Sequence, residues 1–302
     1  MGKTAVAEGL ATAVDGEIVS ADSMQVYRGM DIGTAKPPPS ERRVPYHLLD
    51  VAEPGEPFSA ALYQRLARDA IADIASRGRT PIMCGGTGLY VRAALDNMHF
   101  PAGEQTSATR TDIEAVAREI GPDALHARLS TVDPDSAALI HPHNVRRTIR
   151  ALEMADEGVS YAEQAAGFAQ REPYYDARYV GLTIQREKLY TRIDARVDGM
   201  MAAGLLDEVR GLLDAGFRDA LTAQQAIGYK ELVSVVEGVA TLDEAVASVK
   251  QASRRYAKRQ LTWFRADPRV RWLDVTELST ADAVSGVREL LESDEPRQPG
   301  AR

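Results

Sequence analysis

Three short stretches combine residue types and spacings that could do chemistry. The first is Gly2-Lys3-Thr4, placed directly ahead of an Ala-rich run from 5 to 14 with helical composition. Gly-Lys-Thr at a helix start is the second half of a phosphate-binding loop. Free backbone amides and the helix dipole attract phosphate oxygens, the lysine adds a point charge, and the hydroxyl can ligate Mg²⁺. The tripeptide alone is weak, but its place before a helix and a strand strengthens it. The second stretch is ADSMQVYRGMDIGTAKP, where Asp22 ends a β-branched run, the position at which open parallel sheets bind ligands. A carboxylate there can hold Mg²⁺, take a proton from a nucleophile, or cap a turn. The third is CGGTGLYV. Glycines on both sides of Thr87 let backbone approach a ligand closely, and a hydroxyl there can bond a phosphate or a nucleophile; a plain glycine-rich turn reads the same way.

The elements that must position these residues follow from composition and periodicity. Helix over 5–14 leads to a strand over 17–22, then a proline-rich loop over 33–45 and a strand candidate at 47–51. Ser59 caps a helix running to Arg77, Gly78 closes it, and a strand over 80–84 enters GGTG. Strand and helix alternate, so a doubly wound parallel α/β sheet is expected. From about Pro101 the pattern turns helical, with segments at 111–120, 123–130, 133–140 and 144–157. A strand at 179–184 returns to the sheet, followed by helices at 186–203, 204–215, 228–237 and 241–262, a strand at 270–274 and a last helix. The expected organisation is a core of 1–103 and 177–290, a helical insertion of 104–176, and a disordered tail of 291–302.

Bulk properties exclude some classes. With 302 residues and a formal net charge of -8, the chain is a folded protein and not a non-specific coat for nucleic acid. One cysteine, Cys84, rules out an internal disulfide, and no leader or long apolar run is evident, so a cytoplasmic protein without a membrane span is expected. Two stretches run against the acidic average. KQASRRYAKRQLTWFR, from Lys250 to Arg265, has no acidic residue and interleaves Tyr256, Trp263 and Phe264; Arg146, Arg147 and Arg150 cluster in a second. Such runs are ordinarily solvated helix faces.

The motifs DSMQVYRGMDIGTAKP, GGTGLYVRAAL, HPHNVRRTIRALE, LYTRIDARVDGMMAAGLLDEVR, QAIGYKEL and RRYAKRQLTWFR, in this order and spacing, resemble the tRNA dimethylallyltransferases (isopentenyltransferases). The resemblance runs from Gly2 to about Asp274. It implies a P-loop NTPase-like parallel sheet with flanking helices and an inserted helical subdomain. It also implies transfer of a dimethylallyl group from dimethylallyl diphosphate to N6 of the adenosine 3′-adjacent to the anticodon. By that resemblance Asp22 is the general base and Thr87 hydrogen-bonds the reacting region. Gly2, Lys3 and Thr4 hold the diphosphate with Mg²⁺ as cofactor at Thr4, and Arg196, then Arg192, clamp it; at i and i+4 the two arginines share a helix face. Asp22, Ser23, Met24, Gln25 and Thr87 meet the base flipped from the anticodon loop. Arg110, Arg146, Arg147, Arg150, Gln225 and Lys230 match tRNA-contacting positions. Lys258, Arg259, Gln260 and Trp263 match a segment near the channel, and Trp263 equally suits a core. The tRNA anticodon stem-loop and dimethylallyl diphosphate are the implied partners of a monomer.

The family carries a strand and G-P-T-x-x-x before its GKT, and the sequence opens at Met1-Gly2. A start inside the loop, without the first strand of the family fold, is expected to weaken diphosphate binding and lower stability. Two other readings share part of the pattern. A small-molecule P-loop kinase has GKT and an acidic residue after the second strand, but not GGTGLYV with RRYAKRQLTWFR. A non-catalytic anticodon-loop binder keeps the RNA surface and loses the phosphate loop.

Overall fold

The computed structural model describes residues 2–100, 107–220 and 222–293. The chain divides into two compact units, one of 1–95 with 176–302 and one of 96–175. The expected insertion boundary at 103/104 lies outside the described residues; the unit itself begins at Asp96.

In the first unit, α1 (Lys3–Ala13) follows Gly2, whose φ of 70° is the left-handed conformation that glycine adopts freely. β1 (Gly16–Ala21) is buried along its whole length and lies parallel between β2 (Tyr46–His47) and β3 (Thr80–Gly85), with Ile18 beside Tyr46 and Ala21 beside Gly85. A strand flanked on both edges and covered on both faces has no use for polar alternation, which is why GEIVSA reads as a nearly continuous small and apolar run. The strand expected over 47–51 is cut to two residues, because Leu48 and Asp50 adopt φ of 63° and 57°, outside any strand conformation. α2 (Ala60–Ser76) starts where the Ser59 hydroxyl accepts the Leu62 amide and stops before Gly78 at φ 73°. α3 (Gly88–Leu95) completes this half.

The second unit, described by itself, is helical. α4 (Ala108–Val132) is two helical arms meeting at Gly121, φ 79°, as the two expected segments required. α5 (Pro134–Leu139) and α6 (Val145–Asp156) follow, and α7 (Tyr161–Ala169) is a further helix that the periodicity did not announce. Ile113, Leu125, Leu129, Ile140, Ile149 and Leu152 form its own apolar core.

The chain returns to the first unit in β4 (Tyr179–Thr183), α8 (Arg186–Ala202), α9 (Leu205–Asp214), α10 (Tyr229–Val236), α11 (Leu242–Arg265), β5 (Val270–Asp274) and α12 (Thr280–Glu292). Helix α12 occupies the first two residues of the expected tail, and 294–302 lie outside the described residues. β4 pairs with β5, so the sheet consists of a β2-β1-β3 piece and a β4-β5 piece. No ladder joins β3 to β4 among the described residues, yet Val6 and Leu10 of α1 pack in one cluster with Ile82, Val180, Leu182 and Leu273 of both pieces. Among the described residues no helix is long and apolar enough to cross a membrane.

Candidate active site

The carboxyl ends of β1 and β3 open into a cleft of about 630 Å³ within the first unit. Its floor is the start of α1: Gly2, Lys3, Thr4 and Ala5 all line it. The first amides of a helix have no intrahelical acceptor, and the dipole's positive end lies with them, so an anion in the cleft meets amides, dipole and the Lys3 charge together.

Opposite stand Asp22, Ser23, Met24 and Gln25, all lining the cleft. The Met24 amide donates to Asp22 Oδ1 at 2.9 Å, which fixes the carboxylate's orientation. Gln25 is held at both ends: its Oε1 accepts from the Ser20 hydroxyl at 3.0 Å and its Nε2 donates to the Thr34 carbonyl at 3.2 Å. The α8 face that reaches the cleft is Leu189, Ile193, Arg196, Val197 and Met200. Arg196 is therefore a lining residue and Arg192 is not, although the two share a helix. Solvent reaches Arg196 through the cleft, but the protein packed around the guanidinium disfavours its charge, and the Asp22 carboxylate partly offsets this. Gln225 and Lys230 line the cleft on the segment entering α10.

Thr87 is placed one bond behind the surface. It is not among the lining residues; its hydroxyl accepts the Ser23 amide at 3.0 Å, donates to the Ser23 hydroxyl at 3.2 Å and is hydrogen-bonded with Tyr256, and both Ser23 and Tyr256 line the cleft. The glycines around it serve the docking of α11. A Cβ on Gly86 would lie 2.0 Å from Gln260 Nε2, and one on Gly88 would lie 2.0 Å from the Trp263 indole nitrogen. Gln260 uses the space to donate to the Gly86 carbonyl at 3.0 Å. Arg259 and Gln260 line the cleft, whereas Lys258 and Trp263 do not; Trp263 is 46% exposed and so is not core.

The arginines assigned to RNA contact in the insertion divide into two kinds. Arg150 donates to the buried Glu153 carboxylate at 2.7 Å, and Arg110 pairs with Glu114 at 3.0 Å and with Glu153 at 3.7 Å. Arg146 and Arg147 are exposed and carry no ion pair among the described residues.

A sequence model of the IPP transferase family matches residues 25–267. The chain belongs to the IPP transferase family. The tRNA dimethylallyltransferase of Geobacillus kaustophilus is 53% identical over 279 residues, 92% of this chain and 88% of that protein. The Bacillus subtilis protein of the same name is 47% identical over 91% of this chain and 88% of that one. Among solved structures, the tRNA isopentenylpyrophosphate transferase of Bacillus halodurans superposes with a TM-score of 0.71 at 44% identity, covering 96% of this chain and 91% of that one. A eukaryotic dimethylallyltransferase acting on tRNA gives 0.79 at 28% identity over 98% and 78%.

Some residues of this family member's cleft escaped the sequence reading. Tyr256 faces the cleft on α11; burial, and after it the Asp22 charge, keep its phenol protonated above the ordinary range. Its signal was there: Val249, Ser253, Tyr256, Ala257 and Gln260 form one uncharged helical face that runs into the basic stretch. Gly33, Thr34 and Ala35 line the opposite wall; they lie within the DSMQVYRGMDIGTAKP motif, but the reading of that motif assigned roles only to its first four residues.

Proposed function

We propose that this IPP transferase family member transfers the dimethylallyl group of dimethylallyl diphosphate to N6 of the adenosine 3′-adjacent to the anticodon of tRNA, in the cytoplasm. The observation that carries the reading is the convergence, on one cleft, of a helix start fit for diphosphate, a carboxylate fit for a proton, and an apolar wall of Leu189, Ile193, Val197 and Met200 fit for a branched hydrocarbon. A nucleoside kinase needs no such wall.

In the reaction N6 attacks C1 of the allyl group, the C1–O bond breaks with its electron pair leaving on diphosphate, and one N6 proton passes to the Asp22 carboxylate. The exocyclic amine is a poor nucleophile, so most of the acceleration must come from alignment and from neutralising the departing charge. Lys3, the α1 amides and Arg196 supply the neutralisation. Asp22, oriented by the Met24 amide, receives the proton. Thr87 acts through Ser23 and Tyr256, which it holds in place. Mg²⁺ prefers a few oxygen donors together with substrate phosphates, and the Thr4 hydroxyl and the Asp22 carboxylate, both lining this cleft, are donors of that kind. When bound there with the diphosphate, the ion would supply further charge neutralisation. We assign the exposed Arg146 and Arg147 to backbone phosphates of the tRNA.

The test is transfer of labelled dimethylallyl from its diphosphate to unmodified tRNA. The unsubstituted chain forms product and Asp22→Asn loses about 10²- to 10⁴-fold in kcat, the range for a lost general base. Protection against heating by ATP, and not by dimethylallyl diphosphate, would favour a kinase. RNA binding without product would leave an anticodon-loop binder.

A further inference from the structure

The turn Asp31-Ile32-Gly33 aims three successive backbone amides at one carboxylate, Glu208 of α9, at 3.1, 2.8 and 3.2 Å. The Tyr229 hydroxyl donates to the same carboxylate at 2.6 Å. Successive amides in a turn make a concavity that binds anions, and here the anion belongs to the same chain. Glu208 forms no ion pair among the described residues, so neutral donors alone balance its charge. The fit is tight: a Cβ on Gly33 would lie 2.5 Å from the Tyr229 ring. The far side of the turn is fixed as well. The Lys36 ammonium, 2% exposed, donates to the Tyr27 carbonyl at 2.7 Å and pairs with Asp31 at 2.6 Å and Asp50 at 2.5 Å.

These bonds join two walls of the cleft. Gly33, Thr34 and Gln25, the last bonded to the Thr34 carbonyl, form one wall; Gln225 through Lys230 form the other. Glu208 itself is not a lining residue. We propose that Glu208 is a positioning residue for RNA recognition, coupling the 31–35 turn to the 225–230 segment so that the two walls present one fixed seat to the incoming base. The proposal rests on the function given above and deepens it: one wall holds Gln25, assigned to the flipped base, and the other holds Gln225 and Lys230, assigned to tRNA contact, while the diphosphate end of the cleft, built on α1, receives no bond from Glu208.

The discriminating substitution is Glu208→Gln. A carboxylate offers lone pairs to all four donors; an amide of nearly the same shape has one acceptor oxygen and turns an NH₂ group toward donors. Tyr229→Phe removes one donor and leaves the carboxylate on the turn. In the protein of residues 1–302, hydrogen exchange of the 31–35 and 225–230 segments, affinity for an unmodified anticodon stem-loop RNA, and affinity for dimethylallyl diphosphate would be measured together with Tm. Glu208→Gln should speed exchange in both segments and weaken RNA binding on the order of tenfold, the equivalent of one or two hydrogen bonds. Diphosphate affinity should stay within about twofold. Tyr229→Phe should fall between Glu208→Gln and the unsubstituted protein. Unchanged exchange in either segment, unchanged RNA affinity, or equal loss of both ligands with a lowered Tm would overturn the coupling. If the unsubstituted protein binds the RNA and makes no prenylated product, the proposed function fails, while exchange and RNA affinity still decide the coupling.

Discussion

Cys84 lines the cleft at the end of β3, where an electrophile can reach it, yet its thiol is poorly disposed to react. Burial among apolar neighbours pushes its pKa up to about 11, with the Asp22 and Glu8 charges adding to the rise and Lys3 opposing it. The thiolate is the nucleophile, so a shift of about two units lowers its population at neutral pH roughly a hundredfold relative to an ordinary thiol. Alkylation by iodoacetamide at pH 7.5 should therefore run about a hundredfold slower than that of a free cysteine and speed up about tenfold per pH unit toward 10. A rate matching free cysteine would mean that the site is wetter than the structure has it. At this scale the legible residues were those at the ends of strands. Asp22 and the GKT lysine could be read because position along a strand or before a helix determines their exposure to a ligand. Tyr256 and Glu208 could not, because their roles depend on which partner lies across the cleft or the turn, and that partner is 169 residues away for Thr87–Tyr256 and 175 to 177 for Glu208 and its amides.

Elements were legible where local periodicity decides them and illegible where lateral pairing does. The β5 strand over Val270–Asp274 and the Ser59-capped α2 follow from their own residues. The short β2 does not, since its length is set by Leu48 and Asp50 turning left-handed, nor does the division of the sheet into two ladders. One ion cluster ties several elements together at the end of β1 remote from the cleft. Glu17, 2% exposed, accepts both Arg77 nitrogens from beyond α2, Arg79 from before β3 at 3.0 Å, and pairs with His47 of β2 at 2.7 Å. The Arg77 hydrogen bonds, with those of His47 and Arg79, outweigh burial and hold the Glu17 carboxyl well below the usual carboxylate range. A depressed folded-state pKa gives stability that is present above the unfolded value, about 4.3 for glutamate, and is lost as pH falls below it. Glu17→Gln should thus lower Tm at pH 7, and the gap to the unsubstituted protein should narrow as pH drops from about 5 toward 3. A gap constant with pH would show that lost packing, and not the charge, causes the change.

For the whole molecule the open question is how a chain of formal charge -8 binds an RNA. Summed charge acts at long range, and at physiological salt the Debye length is about 8 Å, so most of the acidic surface is screened from a phosphate held at a basic patch. What counts is the number of unpaired cations in contact. Several cations are already spent within the protein: Arg254 pairs with Asp194, Lys250 with Asp198, and Arg150 with Glu153. Arg146, Arg147, Arg255 and Lys258 are exposed and carry no ion pair among the described residues. Each contact with a backbone phosphate releases counterions and steepens the fall of log K with log salt by roughly one unit. Affinity for unmodified tRNA should therefore drop steeply between 50 and 200 mM salt despite the net negative charge, with a slope of roughly three to four if those four cations dominate. Arg146→Ala and Arg147→Ala should each reduce the slope by about one, whereas Arg288→Ala, which removes an exposed arginine of α12 paired with Glu292, should leave it unchanged. A slope indifferent to Arg146 and Arg147 would assign the phosphate contacts to α11 alone. A slope near zero would mean that the RNA is held by its bases, through the stacked and hydrogen-bonded walls of the cleft, with its backbone left to solvent.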